Sequence, residues 1–251
     1  MDITILGCGN SHGVPSINCD CFVCTSQNIK NKRKRASVLI ETKETKLLVD
    51  TSPDLRQQCL ENNIQSLDAI ILTHKHSDHV SGIDDVRRLR NCSKPINIYI
   101  DDITFSDLYI RYKYIFSTTN PLCYPLLSRR RLLPKQMIGD IQVVSFEQVH
   151  GSIISQGIRL NNIAYSTDFN EISESSIAEL KDLDIWIIDC LRYFYTPTHS
   201  YLEKSLLLIE RIKPKLAVLT HMSHDIEYEE ISKILPKGVI AAYDNLKLST
   251  R

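Results

Sequence analysis

Short apolar runs separated by polar turns set the pattern of this chain. Residues 2–6, 37–41, 46–50, 69–72 and 96–100 are Ile-, Leu- and Val-rich stretches of four or five residues. Each is bounded by Gly, Asp, Ser or Lys, which marks strands. The pair 37–41 and 46–50 flanks a polar turn and reads as an antiparallel hairpin. Residues 54–62 have helical spacing, with Leu55, Cys59 and Leu60 on one face and Ser52 or Asp54 placed to cap. Residues 82–89 read as a short helix with its charges outward. Beyond residue 140 strands at 141–148, 158–160, 163–166, 185–189, 215–219 and 239–242 intersperse with helices at 173–180, 200–211 and 227–235. Strands first and alternating strands and helices later predict a layered α/β protein with mixed sheets. Residues 102–137 break the pattern. Tyr109, Tyr112, Tyr114 and Phe116 crowd there and Arg129, Arg130 and Arg131 follow. The segment reads as a packed insertion with a charged turn, the alternative being a surface for bases and phosphates. With no repeat or linker, residues 1–251 are expected to form a single domain.

Composition narrows the class. The 251 residues are 43% hydrophobic and 24% charged, an ordinary globular balance with enough chain to bury a large core without disulfides. Thirty basic and thirty acidic residues cancel, which argues against a global grip on nucleic acid or an anionic membrane. One local exception is the run Lys30, Asn31, Lys32, Arg33, Lys34, Arg35. It reads as a solvated turn, with a phosphate-attracting rim as the sharper alternative. No apolar run approaches the roughly 20 residues of a spanning helix. The acid at position 2 and the short apolar run after it do not make a secretory signal. A cytoplasmic, reducing setting is therefore expected, with cysteines as thiols or metal ligands. Of the eight cysteines, Cys19, Cys21 and Cys24 cluster in a loop. Cys8, Cys59, Cys92, Cys123 and Cys190 are scattered and read as ordinary buried thiols.

The histidines carry the chemistry. His74, His76 and His79 fall within six residues together with Asp78, directly after an apolar strand. Four ligand-capable side chains are too dense for one tetrahedral ion on a regular element. On a tight loop they can diverge toward two adjacent ions. More ligands must come from elsewhere, and His150, Asp168 and His221 each follow an apolar run, where strand ends gather at one rim. A lone histidine at a strand end is usually an ordinary loop residue; the cluster is what gives these three weight.

The His-x-His-x-Asp-His motif, with His150, Asp168, His221 and Asp50 at the matching strand ends, resembles the metallo-β-lactamase fold. The resemblance covers essentially the whole chain and implies a four-layer αββα sandwich of two mixed sheets with a dinuclear site on one edge. It implies His74, His76 and His150 on one metal, Asp78, His79 and His221 on the other, and Asp168 bridging. Asp50 would orient ligating imidazoles from behind. The Gly-rich turn before Cys19, Cys21 and Cys24, the Ser52–Arg56 and Gly82–Arg87 segments, and the stretches around Asp189–Arg192 and Pro197–His199 are similar to the phosphoribosyl 1,2-cyclic phosphate phosphodiesterase branch. That resemblance implies a structural zinc on Cys19, Cys21, Cys24 and His224, a closed Cys₃His set. A thiol-lined loop without metal is the alternative. A more distant likeness, through the cysteine loop, is to coenzyme pyrroloquinoline quinone synthesis protein B.

The implied activity is hydrolysis of a small phosphodiester, cyclic or open, by a hydroxide activated between two zinc or manganese ions, with Asp78 in the catalytic set. His199 is the candidate general acid, its alternative being a helix-cap neighbour, and Arg192 a weaker phosphate contact. His12 reads as a solvent-exposed loop residue or a substrate contact. The rivals are a nuclease acting on RNA or DNA ends, which zero net charge disfavours, and a non-hydrolytic metal- or cofactor-binding protein. No membrane partner is expected; a homodimer is.

Overall fold

Most of the runs read as strands pair into two sheets in the computed structural model, which describes residues 1–89, 94–117 and 124–250. The first sheet contains β1 (Asp2–Gly7), β2 (Ser37–Glu41), β3 (Lys46–Val49), β4 (Ala69–Ile71), β5 (Ile96–Ile100) and β6 (Leu127–Arg131). The second contains β7 (Lys135–Ile138), β8 (Ile141–His150), β9 (Ile153–Leu160), β10 (Ile163–Ser166), β11 (Glu171–Ile172), β12 (Ile185–Asp189), β13 (Leu216–Thr220) and β14 (Val239–Ala241). The last strand, β15 (Leu246–Ser249), returns to the first sheet beside β1. Strand order is β15-β1-β2-β3-β4-β5-β6 in one sheet and β11-β8-β9-β10-β12-β13-β14 in the other, with β7 paired to β8. Both sheets are mixed: β1 to β3 run antiparallel and β3 to β6 parallel, and β10, β12, β13 and β14 are parallel after an antiparallel β8–β9 hairpin.

Alternation within each strand builds the layers. Ile3, Ile5, Val38, Ile40, Leu47 and Val49 share one core with Val143, Ile158, Leu160 and Tyr165 of the second sheet. Leu39, Leu48, Ile70 and Ile98 pack instead with a helical layer. That layer contains Leu55 of α2 (Leu55–Glu61; α1 is Phe22–Thr25), Ile83 and Val86 of a 3-10 turn at Ser81–Arg88, and Leu108 and Ile115 of α4 (Asp102–Phe116; α3 is Ser77–Val80). On the second sheet α5 (Glu174–Ala178), α6 (Leu202–Ile212) and α7 (Tyr228–Ile234) add the fourth layer, with Leu202, Leu206, Ile209 and Ile231 packed on it. Strands covered on both faces need apolar side chains on both, which is why they read as continuous runs rather than alternating ones. The αββα sandwich is thus the architecture.

Several local expectations change. Residues 102–116 form a helix kinked at Tyr112, with Asp101 capping it by accepting from the Ile103 and Thr104 N–H groups at 2.9 Å. Its aromatics hid this: Phe105, Tyr109 and Phe116 pack on one another, and only Thr104, Leu108 and Ile115 are buried, a narrow stripe. Arg129–Arg131 lie in the edge strand β6, not in a turn. Arg129 and Arg131 pair with Asp102, and Arg130 donates to Asn97 at 3.0 Å. Charge on an edge strand blocks pairing with another chain. Leu60 of α2 is exposed rather than core. Asp54 stands at the helix start but does not cap it, because its carboxylate is taken by Arg35. The helices at 173–180 and 200–211 are shorter or shifted, with Ser173 capping α5 and α6 beginning at Leu202.

The basic run is not a solvated turn. Arg33 is 2% exposed and donates to the Ser223 and Ile226 carbonyls at 2.8 Å each. Lys30, Lys32, Lys34 and Arg35 are half-buried. Asn31 donates to Glu227 at 2.5 Å, so the segment is stitched to the loop after β13. Cys8 and Cys190 are buried as expected, Cys59 only partly, and Cys92 and Cys123 lie outside the described residues.

Candidate metal centre

Ligand-type side chains leave the carboxyl ends of five strands at one rim. His74–His79 follow β4, Asp50 follows β3, His150 ends β8, Asp168 lies two residues past β10, and His221 is the residue after β13. Asp50, Asp168 and His221 all have positive φ, at 65°, 53° and 58°. The left-handed region is costly for side-chain-bearing residues and persists where surrounding structure enforces it, typically at functional sites. Here it ends the strand abruptly at the residue whose side chain joins the cluster.

Two donor sets result. The ligand atoms of His74, His76, His150 and Asp168 lie within 4.8 Å of one another, and so do those of Asp78, His79, Asp168 and His221. Asp168 belongs to both. Its Oδ2 is 3.8 Å from His74 Nε2 and 3.5 Å from His150 Nε2. Its Oδ1 is 3.2 Å from His79 Nε2 and 3.1 Å from His221 Nε2. Thr167 donates to Oδ1 at 2.7 Å and fixes the carboxylate plane.

The outer hydrogen bonds decide which nitrogens carry lone pairs inward. His150 Nδ1 donates to the Thr198 carbonyl at 2.7 Å, so Nε2 is the bare nitrogen. The Thr73 hydroxyl donates to Asp50 and therefore accepts from His74 Nδ1 at 3.0 Å, which bares His74 Nε2. Both bare nitrogens converge on His76 Nδ1, at 3.0 and 3.2 Å. His79 Nδ1 donates to Asp50 Oδ2 at 2.7 Å, which leaves its Nε2 facing two carboxylates. Asp50 is thus wholly buried behind the centre, holding His79 and, through Thr73, His74.

Converging lone pairs and carboxylates repel unless a cation lies among them. His79 Nε2 and both ring nitrogens of His221 are buried without a hydrogen-bond partner, a state that protein interiors seldom leave uncompensated. Burial drives His74 well down, toward the neutral form that ligates. Burial opposes ionisation of Asp168, but His221 and His79 outweigh it and hold the carboxyl well below its ordinary range. Imidazole and carboxylate donors in two sets sharing one acid fit a pair of divalent cations.

His199 stands at the edge of this cluster. Its ring lies 4.7 Å from that of His150 and stacks on that of His221 at 4.9 Å. Nδ1 is 3.0 Å from Asp189 Oδ2. Burial disfavours its cation, but Asp189 outweighs burial and raises the pKa to about 9. It is no cap neighbour: Tyr201 precedes α6 and no side chain caps that helix. A cavity of about 300 Å³ opens here, lined by Ser11, Gly151, Ser152, Ile153 and Thr198 along with the ligand groups and His199. A larger groove of about 710 Å³ lies along α6, but it is lined mainly by aliphatic side chains and holds no donor cluster.

A third donor set is separate. His224 Nδ1 is 3.1, 3.5 and 3.6 Å from the sulfurs of Cys19, Cys21 and Cys24. Backbone N–H groups point at sulfur, from Ser16 to Cys24 at 3.3 Å and from Cys24 to Cys21 at 3.4 Å. Burial of Cys21 is offset by these contacts, which bring its thiol down to about 7, within reach of a thiolate at neutral pH. Three sulfurs and one imidazole nitrogen complete a tetrahedral set.

Two sequence-predicted residues stand apart. Arg192 is 3.6 Å from Asp225 and lies over Phe194, outside the lining of the metal cavity. His12 lines a different cavity. Among residues of the centre, sequence reasoning gave Asp189 no role of its own. Its signal was available: like Asp50 it ends an apolar strand, in the run IWIID.

Comparison with known proteins bears on the family and the fold. A model of the beta-lactamase superfamily domain matches residues 45–222. The crystal structure of a new diphosphatase from the PhnP family superposes with a TM-score of 0.93 at 36% identity, covering 100% of this chain and 98% of that one. The Zn²⁺-bound PqqB of Methylobacterium extorquens gives 0.78 at 19% identity with both chains covered in full, a likeness of fold. A curated relative, the octanoyltransferase of Porphyromonas gingivalis, is 35% identical across 98% of this chain, but the chain spans only 51% of that protein. No described helix is long and apolar enough to cross a membrane.

Proposed function

From the chain's membership of the beta-lactamase superfamily, in its PhnP family, we propose that it is a dinuclear metal-dependent hydrolase cleaving a P–O bond in a small phosphodiester or diphosphate-linked molecule. The observation that carries this reading is the sharing of Asp168 between two donor sets that line a cavity of about 300 Å³. In this reading His74, His76 and His150 would hold one ion and Asp78, His79 and His221 the other, with Asp168 common to both sets. Zinc or manganese, when bound, would supply Lewis acidity that acidifies water and neutralises phosphoryl oxygens. Cys19, Cys21, Cys24 and His224 would hold a structural zinc, tying the N-terminal loop to the loop carrying His221.

The remaining residues divide the work. Asp50 and Thr73 fix the tautomers of His79 and His74 from behind. Asp189 holds His199 by Nδ1, leaving Nε2 to give a proton to the leaving oxygen as the P–O bond breaks, while the attacking water gives up one proton to solvent and bonds through its oxygen to phosphorus. Ser11, Gly151 and Ser152 line the approach and limit the size of the arm that enters. Of the similar proteins, the diphosphatase of the PhnP family supports phosphoryl chemistry. The octanoyltransferase name comes with a protein about twice the matched length.

The test is turnover of bis(p-nitrophenyl) phosphate and of a small diphosphate diester by manganese- or zinc-loaded protein, beside single-stranded RNA, at two salt concentrations. Small-ester turnover that changes little with salt supports the reading. RNA cleavage that alone is fast and falls steeply with salt points to a nuclease instead.

A further inference from the structure

The basic run and His12, which the metal centre does not use, meet at one place. They line a second cavity, of about 510 Å³, which also takes in Gly13, Val14 and Pro15. Ser11 lines the metal cavity and His12 lines this one, so a single turn of chain separates them. We propose that this cavity is a second ligand site, for a small multivalent phosphate anion such as a nucleoside polyphosphate or inorganic polyphosphate. The site is independent of the reaction proposed above.

Charge favours an anion. Lys30, Lys32, Arg33, Lys34 and Arg35 contribute five permanent cations to the lining, against the carboxylates of Asp54, Glu61 and Asp244. On a chain whose formal charge is zero this is a concentrated excess, and a concave wall focuses it. Lys34 pairs with Glu61 at 2.7 Å and Asp244 at 3.6 Å, and Arg35 with Asp54 at 3.0 Å. Among the described residues Lys30 and Lys32 have no carboxylate. The Lys30 ammonium rests over the rings of Tyr228 and Tyr243, at 4.3 and 4.9 Å, and Lys32 donates to the Cys24 carbonyl at 3.1 Å.

Shape favours a small ligand. The volume falls in the range of small-molecule pockets. The four outer cations are half-buried rather than splayed in water, and a ligand would therefore meet groups already partly desolvated and held. Lysines act as mobile point charges on phosphate and suit several phosphoryl groups in different arrangements.

The experiment is calorimetric titration of the metal-loaded full chain with tripolyphosphate, ATP and AMP, repeated in Asp78→Ala, where binding through the metal centre is impaired. Expected is a salt-sensitive site retained in Asp78→Ala and weakened at least about tenfold, or 1.4 kcal/mol, by Lys30→Gln/Lys32→Gln. Zinc content and bis(p-nitrophenyl) phosphate turnover should not change in that double variant. Because Lys32 also bonds Cys24, Lys30→Gln alone is measured as well; it should weaken binding in the same direction with an unchanged melting temperature. ATP tighter than tripolyphosphate identifies a nucleotide; the reverse identifies polyphosphate. Affinity unchanged in both lysine variants overturns the proposal, and so does an RNA oligonucleotide that binds this face more tightly than every small anion.

Discussion

The two donor clusters that flank His221–His224 are built on opposite principles. At the metal centre the ligands are imidazoles and carboxylates on rigid strand ends, nearly all buried, and a cavity reaches them from one side. At the cysteine cluster three thiols on a loop and a four-residue helix close around one imidazole. The first resembles a catalytic site, which keeps room for substrate; the second resembles a structural site, which does not. Only two residues separate His221 from His224, so the proposed structural zinc would brace the open centre without taking part in it.

That contrast predicts a graded series of effects on turnover. Asp168→Ala removes the acid common to both sets, and phosphodiester turnover should fall by about 10³-fold or more, with loss of bound metal. An effect below tenfold would mean that the two sets do not act as one centre. His199→Ala should keep both ions and cost about 10² to 10⁴-fold, the range for a lost general acid. Substrates with a p-nitrophenolate leaving group, which needs little protonation, should lose much less than alkyl esters. Equal losses would remove the acid role.

Asp50→Asn retains the size of the group but weakens its hold on the His79 N–H. Metal affinity or activity should fall about 10- to 100-fold, read by chelator competition. Cys21→Ser should have the smallest effect on turnover, less than about tenfold at 25 °C when the centre is metal-loaded, the loss being indirect. It should nevertheless release one zinc per chain and lower the melting temperature, because metal binding there contributes to folding free energy. Unchanged zinc content and melting would remove the structural site.

The centre was more legible in the sequence than the elements around it. A cluster such as His74, His76, Asp78 and His79 is chemically costly without a ligand to hold, and its spacing is visible without any fold. His150, Asp168 and His221 could be assigned because each ends an apolar run. The positive φ that lets Asp168 and His221 end their strands is a backbone property that composition does not show. The helix Asp102–Phe116 was obscured because its aromatics pack on each other as much as on the core. Strand β15 was missed because Leu246 and Leu248 alternate with polar residues over only four positions. The basic run was read from its charge, whereas tertiary contacts decide its state: Arg33 reaches carbonyls 190 and 193 positions away.

The most direct test of the account counts metals and turnover together. Purified wild-type protein, Asp78→Ala and Cys21→Ser would be loaded with zinc, stripped of excess, and assayed for metal per chain and for bis(p-nitrophenyl) phosphate hydrolysis. The account predicts that Asp78→Ala loses metal from the open centre and its activity while keeping the cysteine-bound zinc, and that Cys21→Ser shows the converse. An Asp78→Ala protein that retains its full metal content and wild-type turnover would contradict the dinuclear centre.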